Sequence, residues 1–222
     1  MRTTILATLL PLALARHPHT VQNETTSTTA PAPACSATAK TLPPACQTAY
    51  PLSLRIMNSR YPAYEYTPLH SETAFFMALR QEPTTFQIAT QVQFTGLPQD
   101  SMTCWLELLA PVPSAQSVKG PRPVLNVFAV ERPLGAQANW NTYGGGDNKE
   151  VFGTVDVGTE AAVEMRRLGG GFLRVGETSC NGTLTFHVAM KYDGGDAVNY
   201  WDFVQANPPM GPEQGWRIVH SC

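Results

Sequence analysis

The chain has 222 residues, of which 43% are hydrophobic and only 14% are charged, and its formal net charge is −2 at pH 7. Charged residues make up about a quarter of an average globular protein. The low charge and the lack of a basic block argue against nucleic-acid binding, and the length fits one large domain or a single β-sandwich with an extended entry segment.

The first fifteen residues predict a secretory signal peptide. Arg2 supplies a basic tip, an apolar run extends from Ile5 to Leu14, and the segment ends in Ala13-Leu14-Ala15, which is the pattern of a cleaved signal. The apolar run is far shorter than the roughly 20 residues that cross a bilayer. We therefore expect a protein of the secretory lumen or the extracellular space, without a membrane span.

A low-complexity arm follows the signal. Residues 16–45 are rich in Thr, Ala, Pro and Ser and have almost no large apolar side chain after Val21. Such a segment cannot bury enough apolar surface to offset the entropy that is lost on ordering, so we expect a mobile arm. Ordered structure is predicted to begin near Tyr50, within a domain that covers residues 46–222.

From Tyr50 onwards the hydrophobic pattern has a period of two. Apolar and polar residues alternate in Phe86–Thr95 and in Thr183–Tyr192, which is typical of half-buried strands. Cys104–Ala110 and Val124–Val130 are apolar on both faces, as in strands that are covered on each side. Shorter predicted strands are Leu52–Met57, Ala74–Leu79, Val151–Val157, Phe172–Val175, Tyr200–Gln205 and Trp216–His220.

Glycine and proline clusters separate these strands, for example Gly96-Leu97-Pro98 and Asp193-Gly194-Gly195. Many short strands between such turns indicate an all-β fold, an antiparallel β-sandwich that is jelly-roll-like and stabilised by disulfides. One short helix is predicted, with Thr159 as its N-cap, Glu160 in its first turn and an end at Gly169.

The cysteines and the sequons fit the same compartment. Thiols pair in the oxidising secretory route, so we interpret the cysteines first as a disulfide framework and only second as metal ligands or nucleophiles. They are Cys35, Cys46, Cys104, Cys180 and Cys222. Two sequons, at Asn23 and Asn181, predict N-linked glycans.

Several short motifs occur in an order that resembles a domain family of fungal secreted proteins. Cys104-Trp-Leu-Glu-Leu-Leu is similar to that family's Cys-x-Leu-x-Phe strand. Cys180-Asn-Gly-Thr-Leu-Thr-Phe resembles its Cys-Pro-x-Gly-x-x-x-x-Phe segment, with Asn in place of the usual Pro. Further similar pieces are Val124-Leu-Asn-Val-Phe, Trp140, Phe152-Gly-Thr-Val-Asp-Val, Trp201-Asp-Phe and Gly215-Trp-Arg-Ile. The family is known as the But-two C-terminal domain family and has no agreed biochemical activity.

This resemblance implies a disulfide between Cys104 and Cys180, which lie at the starts of two predicted strands. Closing so long a loop stabilises a fold by on the order of 4 kcal/mol in the chain-entropy model. A second bridge is expected between Cys222 and either Cys46 or Cys35, which leaves one thiol over or available for an intermolecular bridge.

The sequence carries no metal, cofactor or hydrolytic signature. His17-Pro-His19 is the only close pair of histidines, and the cysteines are interpreted as a disulfide framework, so we predict no metal and no cofactor. No Gly-x-Ser-x-Gly motif is present, and the carboxylates are scattered along the chain. Trp105, Trp201 and Trp216 are interpreted as core residues.

Aromatic and hydrogen-bonding residues are the remaining site candidates. Trp140 and Tyr143 lie in a polar, glycine-rich loop and are predicted to wall a ligand pocket, because aromatic rings offer large contact areas at little rotamer cost. His187 and Tyr200 are the catalytic candidates, as hydrogen-bond donors to a reacting carbonyl, and His187 is interpreted as lying on the polar face of its strand. Arg174, at the end of a strand, is a further ligand-binding donor.

Two functions of different class are compatible with these features. The favoured one is a secretory-pathway enzyme of fungal secondary metabolism, a Diels–Alderase or other cyclase that acts on a small apolar or aromatic metabolite. A cycloaddition needs a shaped apolar pocket and a few donors, but neither a nucleophile nor a metal. Secreted fungal hetero-Diels–Alderases of tropolone–sesquiterpenoid pathways are similar in their general β-rich appearance.

The alternative is a non-catalytic cell-wall or glycan-binding module, or an effector. A closed apolar pocket would favour the small-molecule enzyme, since such pockets enclose most of a small ligand. A flat aromatic strip would favour glycan binding.

Overall fold

The computed structural model describes residues 45–64, 75–81, 86–99, 102–121, 123–144, 149–168, 170–192, 194–195, 197–209 and 211–222. The predicted signal peptide, nearly all of the predicted arm, Cys35 and the sequon at Asn23 lie outside these residues. Within the described part of the chain, no helix is long and apolar enough to cross a membrane.

Twelve strands and two α-helices are found in the described residues. The strands are β1 (Gln47–Ala49), β2 (Ser53–Asn58), β3 (Phe75–Gln81), β4 (Phe86–Thr95), β5 (Thr103–Leu109), β6 (Gln116–Lys119), β7 (Val124–Val130), β8 (Gly153–Asp156), β9 (Phe172–Ser179), β10 (Thr183–Met190), β11 (Asn199–Val204) and β12 (Gly215–His220). The helices are α1 (Trp140–Tyr143) and α2 (Glu160–Leu168). A single 3₁₀ turn, Pro113–Ala115, precedes β6.

The strands form two antiparallel sheets that lie against each other as a sandwich. The smaller sheet has four strands in the order β1-β12-β5-β9. The larger has eight strands: seven follow the order β6-β11-β3-β4-β10-β7-β8, and β2 pairs along the remaining length of β4. This arrangement confirms the predicted antiparallel β-sandwich.

Alternate side chains of the two sheets meet in one apolar core. The ring centroids of Phe76, in the large sheet, and Trp216, in the small sheet, are 5.6 Å apart, and Phe203 stacks on Phe76 at 4.6 Å. Trp201 and Trp216 are fully buried, as predicted. The prediction for Trp105 is wrong: it is only partly buried and lies on the outer face of the small sheet, because its neighbours Cys104 and Leu106 take the inward positions of β5.

Two disulfides join distant parts of the sandwich. Cys104 pairs with Cys180, and Cys46 pairs with Cys222. The first bridge is the one that the family resemblance implies, and the second is one of the two alternatives that remained open for Cys222. The Cys104–Cys180 bridge lies in the core, whereas the Cys46–Cys222 bridge ties the short edge strand β1 to the end of β12.

Two glycines allow β8, at the edge of the large sheet, to lie close to β9, at the edge of the small sheet. A Cβ at Gly153, on β8, would lie 2.3 Å from the carbonyl oxygen of Val175 on β9. A Cβ at Gly176 would lie 2.8 Å from the ring of Phe152. Both positions therefore need glycine for a close approach of backbone and ring, and the contact closes one side of the sandwich.

The longer helix begins where the sequence predicts. The Thr159 hydroxyl accepts a hydrogen bond from the backbone N–H of Ala162 at 3.2 Å, which satisfies one of the free donors of the first turn. Glu160 lies in that turn, where its negative charge interacts favourably with the positive end of the helix dipole. The predicted N-cap is thus confirmed, and α2 ends at Leu168.

Candidate functional site

His187 lies on the outer face of the large sheet, where it alternates along β10 with the core residues Phe186 and Val188. Its side chain is nevertheless fully buried, with 0% exposed. A second apolar cluster surrounds it and consists of Met57, Ala89, Phe128, Ala138, Tyr143 and Ala189. The interpretation of His187 as a solvated residue on a polar face is wrong, because the chain between β7 and β8 covers that face.

The surroundings of His187 hold it in the neutral form. Its Nε2 lies 3.0 Å from Oε1 of Gln91, so that Nε2 donates to the amide oxygen. Burial, together with the nearby cations Lys149 and Arg132, lowers the pKa of His187 to about 3. Its Nδ1, Nε2 of Gln91 and Oδ1 of Asn126 are buried without a hydrogen-bond partner. His187 is therefore neutral at neutral pH, and its single N–H is engaged by Gln91 instead of a solvent-borne substrate.

Tyr143 belongs to the same covered cluster. Helix α1 begins with a capping box, in which the Asn139 side chain accepts from Thr142 N and the Thr142 hydroxyl accepts from Asn139 N, both at 3.0 Å. The helix directs Tyr143 inward, with its ring 6.5 Å from Phe128, and only 1% of Tyr143 is exposed. Tyr143 thus faces the covered cluster, and its role as a pocket wall stays a prediction. Trp140, 4.9 Å from Tyr143, stays partly exposed.

Tyr200 does not share a site with His187. It lies on β11, which is separated from β10 by β3 and β4, and three strand spacings correspond to about 14 Å. The Tyr200 hydroxyl donates to a carboxylate oxygen of Asp202. Burial and this hydrogen bond raise the pKa of Tyr200 above its ordinary value, so its proton is held within the protein.

Arg174 takes part in an ion-pair cluster on the outer face of the small sheet. Its guanidinium lies 3.2 Å from Glu107, whose other oxygen lies 2.8 Å from Arg217. The Arg174 guanidinium also lies 5.2 Å from the centre of the Trp105 ring, and that of Arg217 lies 5.7 Å from the Phe172 ring. The aromatic rings of this face are thus partly covered by the protein's own cations.

Two surface grooves are prominent in the described structure. The smaller has a volume of about 650 Å³ and is lined by Pro121, Val124, Asp156, Gly158, Thr159, Lys191 and Tyr192. The larger has a volume of about 1150 Å³ and lies where the end of β9 faces β7 and β10. Its lining residues are Gln99, Ala129, Val130, Glu131, Arg132, Pro133, Thr178, Ser179, Cys180, Asn181, Thr183, Leu184, Thr185 and Phe186.

Hydroxyl and amide groups dominate the polar lining of this larger groove, which we call the β9–β10 groove. At its floor, the buried Thr185 hydroxyl accepts from the side-chain amide of Gln93 at 2.9 Å. At its rim, an Arg132 N–H donates to the carbonyl oxygen of Thr142, at the end of α1. The groove wall and the loop that covers His187 are therefore joined through one guanidinium.

The groove contains two predicted site residues, Cys180 of the predicted disulfide and Asn181 of the sequon, and several residues that sequence reasoning missed. Glu131 and Arg132 directly follow a predicted strand, but nothing in their spacing marks them as ligand contacts. Thr183 and Thr185 were interpreted only as the polar side of an alternating strand. The alternation does indicate on which face of β10 Thr183 and Thr185 lie. The groove also requires β9 and β7 beside that face, and a local sequence pattern does not reveal this long-range arrangement.

Comparison with known proteins assigns no family: no family model matches the sequence, and no curated protein matches it. The resemblance to the But-two C-terminal domain family stays a prediction. Among the described residues, no group of three or more His, Cys, Asp and Glu side chains is placed to hold a metal ion.

Proposed function

We propose that this protein is a secreted glycan-binding module that holds a carbohydrate chain in the β9–β10 groove. One observation carries the proposal: the larger of the two grooves is open and is lined mainly by hydroxyl, amide and charged side chains. The predicted catalytic residues His187 and Tyr200 do not line it. Glycan binding is the alternative of the two functions that the sequence predicts.

The chemistry of the groove suits a sugar chain. Sugar hydroxyls donate and accept hydrogen bonds, and the groove offers both kinds of partner in Gln99, Asn181 and Ser179. Glu131 adds a charged acceptor and Arg132 a charged donor, and hydrogen bonds to charged groups contribute about 1.5–3 kcal/mol each. The volume of about 1150 Å³ exceeds the roughly 300–1,000 Å³ of pockets for small molecules, which favours an extended ligand.

The test is direct titration with soluble oligosaccharides. Protein that is produced without N-glycans is titrated calorimetrically with chitin, β-glucan and mannan fragments. We expect binding to at least one of them and a Kd about tenfold weaker or more in Glu131→Gln, because a charged acceptor is lost. Arg174→Ala is the matched control, since Arg174 is exposed on another face. Absence of binding to every fragment, or an equal loss in the control, would overturn the proposal.

A small-molecule cyclase remains a second candidate because of an apolar strip in the same groove. Val130, Pro133 and Leu184 line the groove together with Arg132, and a fixed cation of this kind stabilises charge that develops on a carbonyl oxygen. The test mixes the protein with a reactive heterodiene and an alkene-bearing terpene. A rate and a stereochemical outcome that equal those in buffer would exclude this candidate.

A further inference from the structure

The sequon at Asn181 lies in the wall of the β9–β10 groove, and we propose that its N-linked glycan lies along that groove and competes with external carbohydrate. The inference rests on the proposed function, since it assigns to the same groove a ligand that the protein carries itself. Asn181 is exposed and lines the groove, so its amide nitrogen is accessible to glycosylation and the attached sugars start inside the binding surface.

The attachment point is held rigidly. Asn181 stands in the short connection between β9 and β10, directly after Cys180, which is tied to Cys104 through a disulfide. The carbonyl of the next residue, Gly182, accepts from Leu97 N at 3.1 Å, and Gly182 has a φ of +55°, which glycine adopts without strain. A glycan on this turn therefore starts from a fixed backbone position in the wall of the groove.

The lining of the groove gives that glycan a continuous set of partners. From the turn, β10 brings Thr183 and then Thr185 into the lining, and Thr185 is paired with Val130 of β7. Thr183 and Thr185 stand two positions apart on β10, about 7 Å from each other. Strand β7 runs antiparallel to β10, so the chain after Val130, with Glu131 and Arg132, continues towards the Asn181 end of the groove. The charged partners therefore lie beside the hydroxyl groups, on the side of the attachment point.

Tethering makes even a weak interaction effective. A ligand on a short flexible linker has an effective concentration in the millimolar range. If a single oligosaccharide binds the groove with a Kd of about 0.1 mM, the tethered glycan reduces the apparent affinity for an external sugar by about tenfold. Removal of the Asn181 glycan is thus expected to expose the binding site.

The experiment uses the secreted, glycosylated protein and three readouts. Mass spectrometry establishes whether Asn181 is modified. Endoglycosidase H is used to release the glycan from native and from denatured protein. We expect release from the native protein to be at least tenfold slower than from the denatured protein. The Glu131→Ala variant should release its glycan faster than native wild type. External oligosaccharide is titrated into wild type, into Asn181→Gln, which removes the sequon, and into Arg174→Ala, which keeps the sequon and lies outside the groove. Asn181→Gln should bind about tenfold more tightly, and Arg174→Ala should equal wild type.

The outcomes separate this inference from the proposed function. An unmodified Asn181, or native release at the denatured rate, overturns the inference. Equal external binding by wild type and Asn181→Gln also overturns it, although carbohydrate binding then stands. Absence of external binding by every form, including Asn181→Gln, is the distinct outcome that overturns the proposed function, and with it the competition that rests on that function.

Discussion

Glu107 and His187 are both buried on outer sheet faces. The neighbours of Glu107 stabilise its charged form, whereas those of His187 disfavour its charged form. The Glu107 carboxylate has two guanidinium groups at 2.8 and 3.2 Å, so its charge is compensated. His187 has an amide partner and two nearby cations, Lys149 and Arg132, which oppose a second positive charge. Although both side chains are buried, the structure accommodates the negative charge of Glu107 and disfavours a positive charge on His187.

This difference predicts an acid sensitivity that His187 causes. The pKa of His187 falls from its ordinary 6.5 to about 3 in the folded protein, so between these values the unfolded chain binds more protons. Stability is then lost as the pH falls from 6.5 towards 3, by up to about 1.4 kcal/mol per pH unit. In urea unfolding, wild type should lose about 2 kcal/mol more than His187→Gln between pH 6.5 and pH 4.5.

His220→Gln is the control for this measurement, because it removes the other imidazole of the described residues and leaves His187 in place. It should retain the loss of stability that His187 causes. A pH dependence of His187→Gln that equals that of wild type would show that His187 is not the responsible group.

The errors at residue scale have one physical origin. The alternation in β10 correctly indicates that His187 faces away from the sandwich core. It does not reveal that the chain between β7 and β8 folds back over this face, since that contact depends on the long-range position of α1. The spacing of Asn139 and Thr142 is a local capping signal that the sequence did contain, and it would have suggested a helix and an inward Tyr143.

At the scale of elements, strong periodicity and length decide what is predictable. Strands β4 and β10 alternate over eight or more residues, and both were predicted with nearly correct bounds. Strands β1 and β6 have three and four residues and were missed, because so short a run has no measurable period. The predicted strand at 151–157 shrinks to Gly153–Asp156.

The contact between β8 and β9 gives a prediction at this scale. Gly153→Ala should destabilise the protein by several kcal/mol, because its Cβ would stand 2.3 Å from a backbone oxygen of Val175 and one of the two sheets must shift. Gly170→Ala is the matched control, since no atom lies within 4 Å of its added Cβ. Thermal unfolding of the two variants tests the difference, and equal melting temperatures would contradict it.

For the whole molecule, the two disulfides differ in what surrounds them. Cys104–Cys180 closes a segment with a sequence separation of 76 inside the core. Replacement of both residues by Ala removes this constraint, at a cost of about 4 kcal/mol, and leaves a core cavity. We expect the melting temperature to fall by about 10 °C or more, since each kcal/mol corresponds to roughly 2–4 °C at this size.

Replacement of Cys46 and Cys222 by Ala should lower the melting temperature less. The segment that this bridge closes is longer, with a sequence separation of 176, which favours a larger entropic effect. Both cysteines are exposed, however, and the bridge holds only a three-residue edge strand, so their replacement leaves no cavity in the core. Calorimetry of both double variants under non-reducing conditions measures the order. A larger effect of the Cys46 and Cys222 replacement would show that the edge of the small sheet contributes more than the core bridge.

The covering of both faces of the large sheet also limits how β10 can change in evolution. Every residue from Thr185 to Met190 is buried, so the strand has no side on which substitutions accumulate freely. Strand β9, by contrast, alternates between exposed and partly buried positions and can drift at every second residue. Among related sequences, β10 should therefore remain recognisable after the exposed positions of β9 have diverged, and it is the segment from which distant relatives of this protein can best be found.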